Sequence, residues 1–293
     1  MNGIDAAIDA FLRPYVDGLA TFVFYRVTIF GAELPLVVLW LVAAAVFCTV
    51  YVRVLCITGF PRALRLLRED DADGSGDGEV SHFQALATAV SGTVGIGNIG
   101  GVAVAISVGG PGAAFWMTVA GILGMSSKLA ECTLGVKYRI VHEDGRVSGG
   151  PMYYLERGLG AHGWPRLGKG LGRFYALGIV IGCLGIGNMF QSNQAFVQLV
   201  GVTGGADSWF AERGWLVGLA LAALVGTVIV GGIPSIARVT QRLVPFMAVL
   251  YLASAAVMLM MNAEAIPYAI GEIVGGAFSA RSAAGGALGA MIV

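Results

Sequence analysis

Charge is scarce in this chain. Lys, Arg, Asp and Glu make up 12% of its 293 residues, against about 25% in ordinary soluble proteins. Hydrophobic residues make up 57%, so the sequence is that of an integral membrane protein. The two signs of charge cancel to a net charge of zero, which removes the basic surplus expected of a nucleic-acid binder. Cysteine is sparse and unpatterned: Cys48, Cys56, Cys132 and Cys183 each sit in an apolar run, with no CxxC and no Cys/His pairing. Neither a zinc site nor a disulfide framework is indicated, and small buried hydrophobes are the expectation. The three histidines, His82, His142 and His162, fall in loops or at their edges. No Ser/His/Asp set, paired catalytic carboxylates or metal-ligand cluster is present, so no enzyme and no cofactor is expected. The N-terminus lacks a basic n-region and a small-residue cleavage site, so a removable signal peptide is not expected.

What is abundant is glycine, at 45 residues, about twice the usual share. Its densest use is at 88–102, where Gly92, Gly95, Gly97, Gly100 and Gly101 interrupt an apolar run long enough to cross a bilayer. Each interior Gly weakens a helix by about 0.5–1 kcal/mol against Ala, so the helix is expected to unwind there. Backbone groups freed at membrane depth cannot be satisfied by lipid, and irregular backbone survives only where it packs in protein or lines a polar cavity. The stretch is therefore a binding-site candidate. Its Gly95-x-Gly97-x-x-Gly100 spacing also matches a dinucleotide fingerprint, but the strand that must precede one in a soluble βαβ unit is missing.

Around this stretch the chain divides into five parts. Residues 1–28 form an interfacial segment, because Ile4, Ile8, Phe11, Leu12, Tyr15, Val16 and Leu19 share a helical stripe with Asp5, Asp9, Arg13 and Asp17 off it. Residues 29–58 hold a first spanning helix, about 30–55. Residues 59–80 form a linker in which Pro61 opens a short helix with Arg62, Arg65 and Arg68 among leucines, a pattern suited to an anionic leaflet. An acidic run then imitates half of an EF-hand, Asp71-x-Asp73-x-Ser75-Gly76-Asp77-x-Glu79, but ends on His82 where Glu is required, so a solvated loop is expected. Residues 81–265 contain the capping box Ser81-x-x-Gln84, the broken span 84–108, a turn at Gly109-Gly110-Pro111-Gly112 and a span at about 113–138. On this last span Lys128 and Glu131 stand one turn apart, either as a structural ion pair or with a part in transport. A polar excursion over 139–171 follows, then a second glycine-interrupted span at 173–201, with Gly182, Gly185, Gly187 and Asn188 followed by Gln191, Asn193 and Gln194. Spans at about 214–233 and 243–262 are joined by a loop carrying Arg238 and Arg242. Residues 266–293 begin a further span near Pro267, interrupted by Arg281 and Gly285-Gly286. The chain stops at Val293 inside an apolar stretch, which suggests a longer protein.

Arg and Lys give the orientation. With the first span running from outside to inside, Arg53, Arg62, Arg65, Arg68, Lys137, Arg139, Arg146, Arg157, Arg166, Lys169, Arg173, Arg238 and Arg242 are cytoplasmic. Only Arg13, Arg26 and Arg213 lie outside. The N-terminus is then outside and the basic loops are in the cytoplasm.

Several blocks in order, Gly92-Thr-Val-Gly-Ile-Gly-Asn-Ile-Gly-Gly-Val, Gly109-Gly-Pro-Gly-Ala-Ala-Phe-Trp-Met, Gly124-Met-Ser-Ser-Lys-Leu-Ala-Glu131, Gly149-Gly-Pro-Met-Tyr-Tyr154 and Gly187-Asn-Met-Phe-Gln191-Ser-Asn193, resemble the alanine or glycine:cation symporters. The resemblance runs from about residue 79 to the end, and family members continue through a second half. It implies an all-α polytopic membrane protein of the LeuT-type inverted-repeat fold, with an extra N-terminal helix, a first five-helix repeat and the start of a second. It further implies sodium-coupled uptake of alanine or glycine by alternating access. By resemblance, the amides of Ile96 and Gly97 hold the substrate carboxylate and the Thr93 carbonyl takes the ammonium. The carbonyls of Ser91 and Val94 serve one sodium site, Asn98 with Thr93 serves a second, and Gln191 contacts the substrate. The lipid bilayer, sodium and a small amino acid are the partners so implied. An ion channel or a non-transporting membrane subunit remains the alternative.

Overall fold

The computed structural model describes residues 3–29, 32–53, 55–68, 79–185 and 189–278. Helices dominate. The acidic run 71–78, the Gly187-Asn188 pair, Arg281 and Gly285-Gly286 lie outside the described residues.

The amphipathic stripe near the N-terminus forms α1, Gly3–Val23. Where a spanning helix is expected from residue 30, the chain instead makes a two-stranded hairpin of β1 (Arg26–Ile29) and β2 (Ala32–Pro35), with Arg26 opposite Pro35. Val27, Thr28 and Ile29 are β-branched and favour extended backbone. Pro35, at φ −63° and ψ 134°, then fixes the entry to α2, Leu36–Tyr51. The apolar helix is thus later and shorter than hydropathy alone indicates. Two short helices follow, α3 (Leu55–Thr58) and α4 (Phe60–Arg68), the latter with Pro61 in its first turn as expected.

The central stretch is α5 (His82–Thr93), an extended residue at Val94, a wide turn with i→i+5 winding over Gly97–Gly101, and α6 (Val102–Gly109). The two half-helices are bent by 54° across the break. Gly110 turns the chain at φ 76° and leads into α7, Gly112–Lys137. The polar excursion folds as a hairpin of β3 (Ile140–Val141) and β4 (Val147–Ser148), then α8 (Pro151–Ala161). Next come α9 (Pro165–Gly185), α10 (Met189–Val202), α11 (Gly214–Ile229), α12 (Gly232–Met261) and α13 (Ile266–Gly276). The loop expected to carry Arg238 and Arg242 is helical. The turn comes earlier, at Gly232 with φ 68°, and Pro234 stands in the first turn of α12. Among the described residues α7 and α12 are each long and apolar enough to cross a membrane, and the bent α5–α6 pair makes a third candidate.

The chain forms two compact units. One comprises residues 1–58, 96–128 and 258–293; the other comprises 59–95 and 129–257. What each buries is small. Among the described residues Val38, Ala45, Ala105, Ala113 and Ala277 are buried in the first unit and Ala87 and Ala237 in the second, while the largest fully buried side chain is Ser126. Large apolar side chains such as Leu224, Phe246 and Met260 are exposed. Small residues at contacts and large ones outward is the pattern of helices whose solvent is lipid, since only small side chains let helix backbones approach closely. In the first unit Gly112 lies so close to Gly276 and Ala277 that a Cβ there would collide with their backbone, and the Trp116 indole N–H donates to the Ala277 carbonyl beside it. In the second unit α8 and α9 pack through Gly168 and Gly172, which face the carbonyls of Leu155 and Met152.

Candidate functional site: the glycine break and its surroundings

The break is held from its N-terminal side. The Ser81 hydroxyl accepts from the Gln84 N–H at 3.2 Å and the Gln84 carboxamide oxygen accepts from the Ser81 N–H at 3.2 Å, the reciprocal capping box that the sequence indicates. Residues one and two turns along tie α5 to α12. The Gln84 amide donates to the Gln241 side-chain oxygen at 3.0 Å, and the hydroxyls of Thr88 and Thr240 meet at 3.0 Å. Thr240 is buried and also donates to the Ala237 carbonyl. Below the capping box, the Glu79 carboxylate accepts from the Val147 N–H of β4 at 2.6 Å. These anchors escape a reading of the sequence, because Thr240 and Gln241 are there assigned to a loop.

At the C-terminal end of α5 the expected residues take these positions. Ser91 is exposed in the last turn. The Thr93 hydroxyl donates to the Ala89 carbonyl at 2.7 Å, which leaves its own lone pairs available to a cation. Val94 is extended, at φ −85° and ψ 111°, and its N–H donates to the Val90 carbonyl at 2.8 Å. Helical winding resumes at Ile96, at φ −61° and ψ −30°, and continues through Gly97 and Asn98, all three half-buried. Ser91, Thr93 and Val94 belong to one compact unit, and Ile96, Gly97 and Asn98 to the other.

Gln191, on the first turn of α10, belongs to the same unit as Val94 and Gly95. Its carboxamide nitrogen lies 3.1 Å from where a Cβ on Gly95 would stand. Gly95 is thus small for a reason: any side chain there would press on the Gln191 amide. This contact is finer than the sequence pattern reveals, since there Gly95 figures only as a helix breaker. Asn193 and Gln194 follow on the same helix, exposed and half-buried respectively.

Glu131, half-buried on α7, acts on a residue outside the apolar helices. The Tyr154 phenol on α8 has its pKa raised by burial, then by the Glu131 carboxylate and by Tyr175. Tyr154 is therefore a neutral hydrogen-bonding group at physiological pH.

Apolar helices with outward-facing large side chains, one of them interrupted at a glycine cluster beside a carboxamide, mark a membrane protein. The chain belongs to the sodium:alanine symporter family, whose model matches residues 20–293. The family is one of transporters, not enzymes. The chain is 41% identical over 259 residues to the sodium/alanine symporter AgcS of Methanococcus maripaludis, a match covering 88% of this chain and 55% of that protein. It is 34% identical over 258 residues to a Bacillus subtilis protein named probable sodium/glutamine symporter GlnT, covering 88% and 51%. It is also 34% identical over 254 residues to the amino-acid carrier protein AlsT of the same organism, covering 86% and 50%. The chain spans about half the length of these curated relatives.

Proposed function

We propose that this chain carries the first half of a sodium-coupled symporter for a small amino acid, alanine or glycine, working by alternating access on a LeuT-type inverted-repeat framework. The observation that carries the reading is the Gln191 carboxamide set against Gly95, inside the only stretch where α5 and α6 part among the described residues. The kinship with AgcS and GlnT supports sodium as the coupling ion and an amino acid as cargo.

In this reading the N–H groups of Ile96 and Gly97, at the start of the outer half-helix, hold the substrate carboxylate at the positive end of its dipole. The Thr93 carbonyl receives the ammonium. Gln191 limits the room beside Gly95 and so favours a small side chain on the substrate. Sodium is held by the carbonyls of Ser91 and Val94 at one site and by the side-chain oxygens of Asn98 and Thr93 at a second. An ion that binds one conformation better than the other shifts the population toward it, and the coupling is reciprocal: sodium raises amino-acid affinity by the factor by which the amino acid raises sodium affinity. The basic segments lie in the cytoplasm, with Arg238 and Arg242 on the first turns of α12 instead of a loop, and the N-terminus lies outside.

Asn98→Ala and Gln191→Ala in the full-length protein test the assignment. Asn98→Ala removes one oxygen ligand and keeps the backbone donors of Ile96 and Gly97. It is expected to weaken sodium binding first, with alanine affinity falling through lost coupling of about 1–3 kcal/mol. Gln191→Ala is expected to weaken alanine binding at saturating sodium while sodium binding without alanine is unchanged. Calorimetric titrations of each ligand, with the other absent and then saturating, separate the two, and an Asn98→Ala protein with unaltered sodium dependence overturns the assignment.

A further inference from the structure

The helix α4, Phe60–Arg68, takes no part in the site described above. At about 100° per residue, Phe60, Ala63, Leu64 and Leu67 fall on one side of it and Arg62 and Arg65 on the other. In a water-soluble protein such a helix turns its apolar side into a core. Here Phe60 on that side is 56% exposed and Leu64 47%. Among the described residues no carboxylate pairs with Arg62 or Arg65. The sequence from Tyr51 to Arg68 contains no acidic residue at all; acids begin only at Glu69.

The preceding chain tells what covers this face. The apolar helix α2 closes on a stacked pair of exposed aromatics, Phe47 and Tyr51, with ring centroids 5.8 Å apart. Aromatic side chains with one polar end settle where hydrocarbon gives way to headgroups. Arg53 follows, then the exposed apolar side chains of Leu55 and Ile57 on α3, then α4. In the sequence, arginines and apolar residues thus follow directly on an apolar helix. The other amphipathic helix shows the contrast: α1 carries Asp5, Asp9 and Asp17, and its Arg13 is engaged by Asp17 at 3.8 Å.

We propose that α4 is a docking surface for the anionic lipid of the membrane in which the protein sits, its apolar side sunk at the headgroup boundary and Arg62 and Arg65 on lipid phosphates. Apolar burial and cation–phosphate attraction then act on the same nine-residue helix.

The test uses the full-length protein in vesicles of phosphatidylcholine alone and of phosphatidylcholine with one part in about four phosphatidylglycerol, and it reads hydrogen exchange over 60–68 against α7 as an internal reference. Exchange in α4 is expected to be roughly tenfold slower in the anionic vesicles. The difference is expected to vanish in Arg62→Gln/Arg65→Gln, to return in Arg62→Lys/Arg65→Lys, and to shrink in 1 M salt, where the Debye length is about 3 Å. Three results overturn the proposal: equal exchange in both vesicles, slowing that persists undiminished in the double Gln variant, and equal slowing in neutral vesicles on adding free glycerol phosphate, which would make the site one for a soluble phosphate. Unchanged exchange in α7 shows that each variant is folded.

Discussion

α12 and the α5–α6 segment both carry helix breakers, and of these two only the second breaks. α12 continues from Gly232 to Met261 through Pro245, although proline supplies no N–H to the Gln241 carbonyl and costs a helix about 3 kcal/mol. The α5–α6 segment contains no proline, yet the chain leaves helical winding at Val94 and the half-helices bend by 54°. The energies do not explain this. Five glycines at about 0.5–1 kcal/mol each are comparable with one proline. What differs is the extent of helical winding lost and the company the break finds. Pro245 frees a single carbonyl and the ladder resumes on both sides. The glycine cluster takes the chain out of helical winding at Val94 and back into it only at Ile96, and it does so beside the carboxamide of Gln191. A break persists in a membrane where polar partners surround it, and a lone breaker without them is carried through.

The comparison is tested most severely by exchanging the two positions' fates. Gly95→Ala places a methyl group 3.1 Å from the Gln191 amide nitrogen, at the flexible end of a side chain, so folded yield should hold while the amide is pushed aside. Alanine affinity of the full-length protein should fall roughly tenfold to hundredfold. Pro245→Ala restores a backbone donor in a helix that is already continuous, and alanine affinity should stay within about twofold. Equilibrium binding of labelled alanine decides it. Equal losses in both variants would erase the distinction between a break that makes a site and a breaker that does not.

A smaller effect distinguishes how the two helices begin. α5 starts with the reciprocal bonds of Ser81 and Gln84, whereas α12 starts at a left-handed glycine, Gly232, with Pro234 in its first turn. Ser81→Ala removes the side-chain acceptor for the Gln84 N–H and should destabilise the start of α5 by about 1 kcal/mol, with Ser81→Gly costing only a few tenths. Hydrogen exchange at residues 82–85 should quicken in proportion while the start of α12 is unchanged. If both helix starts respond alike, the cap is not what fixes α5.

Local signals in the sequence carry the amphipathic α1 and α4, the capping box, the long α7 and the glycine break, because each follows from neighbours three or four residues apart. The start of α12 is missed for a physical reason. Hydropathy marks where lipid begins, and a helix continues past that point into water; Arg238 and Arg242 are exposed on its first turns and appear in the sequence as a loop. The same error places the beginning of α9 at residue 173 instead of Pro165. The hairpin before α2 is hidden by the apolarity it shares with the span. At the site, the residues of the break are legible from glycine spacing and resemblance. The approach of Gln191 to Gly95 is not, because it joins positions far apart in sequence.

The finest expected effect concerns how α5 hangs on α12. Thr88 and Thr240 are polar groups that face each other at 3.0 Å, and Thr240 is buried with a second bond to the Ala237 carbonyl. Valine has the shape of threonine without its hydroxyl, so each single replacement removes one partner and leaves the other with less to bond. Thr88→Val leaves the Thr240 hydroxyl still donating to Ala237 and should cost little; Thr240→Val leaves the Thr88 hydroxyl to find another acceptor and should cost more. The double replacement should cost less than the sum, by a coupling of about 0.6 kcal/mol, the magnitude typical of side-chain hydrogen bonds between helices in a bilayer. Gln84→Ala with Gln241→Ala, a contact at 3.0 Å made by the capping-box glutamine itself, provides a second cycle, in which the Gln84 replacement also removes the acceptor for the Ser81 N–H. Reversible unfolding of the full-length protein in mixed micelles measures both. Coupling in the two cycles would make the unbroken α12 the post that fixes α5, the first half of a broken helix. Zero coupling in both would mean that α5 is placed by its packing alone, and that α12's continuity has no bearing on where the break is held.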